Sequence, residues 1–220
     1  MKPLHVTLGL CLGFVALVVG LFVYSVTRTP MLSEEELRTR GVLLLPVPRQ
    51  LPSFVLETAD AEVFDNASLQ GGWTFIFFGF TNCPDICPTT MAVMGQAQAR
   101  LEELDEPLAD AFRGVLVSVD PERDTPELLA RYTQAFSDSF TGVRGSVAGV
   151  AELATAVNVA FAKVPLAGAD GEADPNGYTV DHTARVFIVN PQGEIPLTFL
   201  STATPQDMAR ALNRLLEESS

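Results

Sequence analysis

The chain has 220 residues, a net charge of -13 and 47% hydrophobic residues. This length suits one ordinary domain with a substantial core. The acidic balance argues against binding nucleic acid, or an anionic membrane surface, through a broad basic patch.

Residues 6–26 are the first predicted element, and they contain no Asp, Glu, Lys or Arg. An apolar helix of about 20 residues can cross roughly 30 Å of hydrocarbon, so residues 1–27 are predicted to be a membrane anchor. A cleaved signal peptide is the alternative, but the region around Ser25 offers no good small-x-small cleavage site. A lipoprotein anchor at Cys11 is disfavoured, because Leu10 stands where a small residue is expected.

The flanking charges do not fix the orientation of this anchor. Lys2 precedes it and three arginines follow it, which weakly favours a cytoplasmic C-terminal domain. We predict the opposite orientation because of the thiol site described below. The N-terminus also lacks the Arg-rich and Ser-rich character of an organelle transit peptide. The predicted location is therefore a bacterial inner membrane, crossed once, with the domain in the periplasm.

Residues 28–50 are predicted to be a juxtamembrane linker. Ser33 is expected to cap a short helix that begins at Glu34, and Pro46, Pro48 and Pro52 stiffen the approach to the domain. The folded domain is predicted to occupy residues 51–220.

Strands and helices alternate through this domain, which is typical of an α/β fold with a central mixed sheet and helices on its faces. The continuous apolar run 73–80 predicts a buried central strand. Residues 166–178 are rich in Gly, Asp, Pro and Asn, which predicts a long surface loop. The other predicted strands are 54–56, 63–64, 115–119, 160–164, 184–189 and 195–199, and the predicted helices are 89–104, 126–136, 147–157 and 205–217.

Cys83 and Cys87 follow the predicted central strand directly. Pro88 suits the first turn of a helix, so Cys87 is expected near a helix N-terminus, where the unpaired N–H groups and the dipole lower a thiol pKa. Two thiolates and one neutral imidazole, from His182, form a soft ligand set suited to Cu(I). A closed structural zinc site would need four protein ligands.

Three other interpretations of these residues stay open at this stage. The thiols could cycle between dithiol and disulfide, form a small stabilising disulfide, or hold zinc with His182 and a water molecule. Asp85 is expected to cap the turn between the cysteines, and Asp181 to be a solvated carboxylate. The charged loop 120–124 follows a strand and is expected at the same edge of the sheet as the thiols.

The chain resembles the SCO/SenC family of copper proteins, which assist assembly of cytochrome c oxidase, over about residues 51–216. The resemblance rests on residues 78–88, 117–127 and 180–190. It implies a thioredoxin-like fold, copper ligands at Cys83, Cys87 and His182, and a redox pair formed by the two cysteines. The implied partner is the copper A site of an oxidase subunit. Other periplasmic copper carriers or thiol reductants are further expected partners.

Two functions therefore compete, with a copper or redox sensor that acts through protein contacts as a third alternative. The first is a membrane-tethered copper metallochaperone that takes up a copper ion and delivers it to a target site. The second is a thiol-disulfide oxidoreductase that reduces target cysteines, which the spacing of three residues between the cysteines disfavours because the general redox motif has two.

Overall fold

A computed structural model describes residues 2–27, 33–104, 112–167 and 173–219. The chain divides into two units, residues 1–33 and 34–220. The first unit contains helix α1 (Lys2–Thr27), which covers the predicted anchor. Among the described residues, no helix is found that is long and apolar enough to cross a membrane.

The described part of the second unit contains ten strands and five α-helices. The strands are β1 (Val42–Gln50), β2 (Val55–Thr58), β3 (Val63–Asp65), β4 (Trp73–Gly79), β5 (Phe112–Ser118), β6 (Phe140–Arg144), β7 (Phe161–Ala167), β8 (Ala173–His182), β9 (Arg185–Val189) and β10 (Glu194–Leu200). The helices are α2 (Glu34–Thr39), α3 (Ile86–Leu104), α4 (Pro126–Gln134), α5 (Val147–Ala156) and α6 (Pro205–Ser219).

Eight strands form one mixed sheet in the order β1-β10-β9-β4-β5-β6-β2-β3. Strands β4, β5 and β6 are parallel, and the remaining neighbours are antiparallel. Strands β7 and β8 pair with each other as a separate antiparallel hairpin. Helix α3 packs against α6, while α4 packs against β6. The predicted α/β fold, with a mixed central sheet flanked by helices, is confirmed.

Strand β4 lies inside the sheet, and all seven of its residues are buried. Its last residue, Gly79, is the register partner of Ser118 at the end of β5. Strand β9 runs antiparallel to β4 and begins at this same edge. The loops that leave β4 and β5 and the segment that enters β9 therefore meet at one edge, which we call the carboxyl edge.

The folded unit begins earlier than the sequence predicted. Residues 42–50, assigned to the linker, form β1, which pairs with β10 and is an edge strand of the main sheet. Pro46 and Pro48 lie where the register of this pair shifts, between Leu44 and Arg49. Proline lacks the N–H that an inner strand needs, but an irregular edge strand tolerates it.

The predicted loop 166–178 was also wrong in part. Residues 166–167 belong to β7 and residues 173–178 to β8, while residues 168–172 lie outside the described part of the chain. Strand β6 was not predicted. Two helices begin with side-chain caps, because the Leu128 N–H at the start of α4 donates to Thr125 Oγ1 and the Asp207 N–H at the start of α6 donates to Thr204 Oγ1.

Candidate metal centre

Three side chains from distant parts of the sequence meet at the carboxyl edge: Cys83, Cys87 and His182. Their ligand atoms all lie within 4.8 Å of one another. Cys87 Sγ lies 3.3 Å from His182 Nε2. Both cysteines are free thiols. The structure thus brings together all three residues that the sequence singled out.

The loop between β4 and α3 sets the distance between the two thiols. Cys87 is the second residue of α3, and its N–H points at Cys83 Sγ, 3.5 Å away. Pro88 follows and has no N–H to donate. The cap expected from Asp85 is absent from the described hydrogen bonds, and this side chain is exposed. The Cys83 sulfur takes the position of the capping acceptor.

Cys87 is fully buried, with 0% of its surface exposed. Burial raises the pKa of the Cys87 thiol, because the thiolate loses its hydration. The lowered pKa predicted from the helix N-terminus is therefore wrong for the metal-free protein, since desolvation by burial is the largest effect on this thiol. Gly79 provides the space for this thiol, because a Cβ at that position would lie 3.0 Å from Cys87 Sγ.

His182 is the last residue of β8, and two aromatic rings flank its imidazole. The ring centroids of Phe77 and Phe80 lie 5.8 and 5.9 Å from that of His182, both in edge-on geometry. Burial lowers the pKa of the imidazole, because this apolar surrounding disfavours its charged form. The ring is therefore mostly neutral near pH 7, as a metal ligand requires. Asp181 is exposed and lies outside the ligand cluster.

A buried carboxylate supports the loop that carries Cys83. Asp124 is 0% exposed, and its oxygens accept hydrogen bonds from Thr81 Oγ1 and Ser118 Oγ, each at 2.6 Å. The Thr81 N–H also donates to Asp124 Oδ1, at 3.2 Å. These bonds confirm that the 120–124 loop lies at the same edge as the thiols. The sequence did not predict the contact itself, although Asp124 belongs to a motif that it singled out.

Comparisons with known proteins agree with this fold and this site. The sequence model of the SCO1/SenC family matches residues 47–217. The human mitochondrial protein named SCO1 homolog is 33% identical over 179 residues, which cover 81% of this chain and 55% of the human one. The chain thus aligns with little more than half of that relative.

Two solved structures also match. The copper-bound ScoI of Bradyrhizobium japonicum is 32% identical, with a TM-score of 0.64, covering 75% of this chain and 98% of that one. The copper-bound ScoI of Arabidopsis thaliana is 25% identical, with a TM-score of 0.68, covering 76% and 98%. Because the family model spans most of the chain and these folds agree, the chain belongs to the SCO1/SenC family.

Proposed function

We propose that this chain is a membrane-anchored copper metallochaperone that carries Cu(I) on Cys83, Cys87 and His182. The observation that carries the proposal is the convergence of two thiols and one imidazole within 4.8 Å. Copper is the cargo here, held until a target site accepts it.

The donor set fits this cargo. Thiolates are soft ligands that select Cu(I), and a neutral imidazole completes a three-coordinate site. Burial favours the neutral forms of Cys87 and His182, so copper binding releases a proton from the Cys87 thiol. Cys83 is half-buried whereas Cys87 is fully buried, so Cys83 is the ligand that an incoming partner reaches first. The copper-bound structures of two relatives support the same cargo.

The proposed acceptor is the copper A site of a cytochrome c oxidase subunit, which the resemblance to the SCO/SenC family implies. Delivery to a membrane-bound oxidase would benefit from an anchor in the same bilayer. We assign this role to residues 6–26, which are uncharged and helical, and whose apolar side chains between Leu10 and Phe22 are exposed. The domain is then placed in the periplasm.

A second candidate function is thiol-disulfide exchange, favoured by the closeness of the two free thiols. The Cys83 thiolate would attack a target disulfide and displace one target thiolate, and Cys87 would then displace the second. The target disulfide is reduced to two thiols while Cys83 and Cys87 are oxidised to a disulfide. The raised pKa of Cys87 slows the second step, because its thiolate is scarce at neutral pH.

Copper titration of the reduced full chain in detergent tests the first function. One Cu(I) per chain is expected, with binding lost in Cys83→Ala and Cys87→Ala and strongly weakened in His182→Ala, which keeps both thiols. The chain supplies matched controls, because Cys11→Ala and His5→Ala remove the remaining cysteine and histidine and are expected to bind normally. Unchanged affinity in His182→Ala, together with reduction of a model disulfide that needs both Cys83 and Cys87, would favour the second function.

Three further measurements test the anchor, the orientation and the acceptor. Carbonate extraction is expected to leave the chain in the membrane pellet, and alkaline phosphatase fused after Ser220 is expected to be active. Release into the supernatant would contradict the anchor, and an inactive fusion would contradict the orientation. Copper is expected to pass from the loaded chain to a metal-free copper A domain, and retention of copper by the chain would contradict this acceptor.

A further inference from the structure

The hairpin that carries His182 is separate from the main sheet. Its strands, β7 and β8, bond to each other, while no described pairing joins either of them to the eight-stranded sheet. At the hairpin base, the Ala160 N–H donates to Thr183 Oγ1, and the Thr183 N–H donates to the Ala160 carbonyl. The position of His182 therefore depends on contacts other than strand pairing that hold this hairpin in place.

The charged loop 120–124, which we call the 120–124 turn, holds the hairpin through contacts with Tyr178. Tyr178 OH donates to Asp120 Oδ1 at 2.8 Å, and Arg123 Nη1 donates to the Tyr178 carbonyl at 2.9 Å. The Arg123 guanidinium carbon also lies 3.8 Å from the centroid of the Tyr178 ring. Asp120 is 0% exposed and forms an ion pair with Arg123 Nε. An arginine in this geometry uses charge, hydrogen bonding and stacking together.

A second pair joins the same two segments. Lys163 Nζ lies 2.6 Å from Glu122 Oε2 and 4.7 Å from the centroid of the Tyr178 ring. Both side chains of this ion pair are substantially exposed, so it contributes little by itself. The buried Asp120 and the stacked Arg123 are the stronger part of the contact.

Strand geometry transmits this contact to His182. Tyr178, Val180 and His182 alternate with outward residues along β8, so they lie on the same face. Tyr178 and His182 are four residue steps apart along the strand, a span of about 13 Å. Val180 between them is buried. The contacts that hold Tyr178 in place therefore also hold the His182 imidazole in its position relative to Cys87.

The opposite end of the turn supports the thiols. Asp124 accepts hydrogen bonds from Thr81, two residues before Cys83, as described above. Asp120 and Asp124 are themselves joined by the turn, because the Asp124 N–H donates to the Asp120 carbonyl at 3.0 Å. One short segment thus contacts both the hairpin that carries His182 and the loop that carries Cys83.

We propose that the 120–124 turn positions the metal ligands, with Arg123 and Tyr178 acting through His182 and Asp124 acting through Cys83. These are positioning residues, because none of them supplies a ligand atom to the cluster. The inference rests on the proposed function for its copper readout, but its first test needs no copper.

Hydrogen exchange of the reduced, metal-free full chain gives that first test. Arg123→Gln is expected to raise amide exchange in β7 and β8 at least about tenfold while β4 and β5 stay protected. Arg113→Gln is the matched control, because Arg113 also donates to a backbone carbonyl, that of Gln70, but lies at the other end of β5. Unchanged hairpin exchange in Arg123→Gln would overturn the proposal. If Arg123→Gln does not fold, Tyr178→Phe, which removes one hydroxyl, is expected to show the same pattern at smaller size.

A double-mutant cycle then tests the route to each ligand. Arg123→Gln is expected to weaken Cu(I) binding about tenfold in the wild type but less than about twofold in a His182→Ala background, because its target is already gone. Asp124→Asn is expected to weaken binding by a similar factor in both backgrounds. Equal effects of Arg123→Gln in the two backgrounds would overturn the route through His182. If the wild type binds no copper, the proposed function fails. The hydrogen-exchange result still tests whether the 120–124 turn holds the hairpin.

Discussion

Replacing Gly79 with alanine is expected to displace the Cys87 thiol, because the added Cβ would lie close to the sulfur. The new Cβ would lie 3.0 Å from Cys87 Sγ, 2.8 Å from Phe77 Cε1 and 3.1 Å from Leu116 Cδ1. Optimal contacts between carbon atoms are about 3.5–4.0 Å, so these neighbours must move by at least roughly 0.4–0.7 Å. Phe77 and Leu116 are fully buried and have little room. We therefore expect the free energy of unfolding to fall by about 1–3 kcal/mol.

Copper affinity is expected to fall as well, because a binding site needs its ligands held within about 0.5 Å. Stability is measured by urea unfolding of the reduced, metal-free chain, followed by the fluorescence of Trp73, the single tryptophan, which is buried. Copper affinity is measured by competition with a Cu(I) chelator under conditions where the variant is folded.

Gly114→Ala is the matched control for this prediction. Its Cβ would lie 2.5 Å from the Phe140 ring, so it overpacks the same sheet. Gly114 pairs with Phe75, whereas Gly79 pairs with Ser118 at the carboxyl edge. We expect Gly114→Ala to lose stability and to keep its copper affinity. Wild-type copper affinity in folded Gly79→Ala would show that β4 does not fix the position of the Cys87 sulfur.

Three further predictions concern the thiols, the imidazole and the domain boundary. In the metal-free protein, iodoacetamide is expected to modify Cys83 before Cys87, because Cys87 is buried and its pKa is raised; peptide mass spectrometry showing the reverse order would contradict this. The pKa of His182 is lowered in the folded state, so as the pH falls the imidazole of the unfolded chain is protonated before that of the folded chain. The free energy of unfolding therefore decreases as the pH falls below about 6.5. Between about pH 7.5 and about pH 5.5, the free energy of unfolding should fall less in His182→Gln than in the wild type. An equal fall in the two proteins would count against a buried neutral imidazole. A chain that begins at Ser33 is expected to keep its unfolding midpoint in urea, whereas one that begins at Leu51 lacks β1 and is expected to unfold earlier; equal midpoints would argue against β1 as part of the domain.

Much of the fold was predictable because its central elements carry strong local patterns. The continuous apolar run of β4 is typical of a buried strand, and the Thr125–Pro126 pair before α4 is typical of a helix N-terminus. Strand β1 was missed because its prolines resemble a linker, and only pairing with β10 makes it a strand. Strand β8 was missed for a similar reason, since Asp, Pro, Asn and Gly favour turns until a partner strand is present.

The three members of the ligand cluster were predictable, but the properties of their site were not. The spacing of Cys83 and Cys87 and the scarcity of histidine were enough to single them out. The pKa of Cys87 depends on burial by distant residues, and a helix N-terminus alone gave the wrong direction. The role of Arg123 depends on contact with Tyr178 across 55 residues, which no local pattern contains.

X-ray absorption at the copper edge of the Cu(I)-loaded full chain identifies the atoms that bind the metal. We expect two sulfur atoms and one imidazole nitrogen around the copper, with the nitrogen lost in His182→Ala and kept in His5→Ala. A shell of sulfur alone in the wild type, or a nitrogen that persists in His182→Ala, would contradict the claim that Cys83, Cys87 and His182 bind copper together.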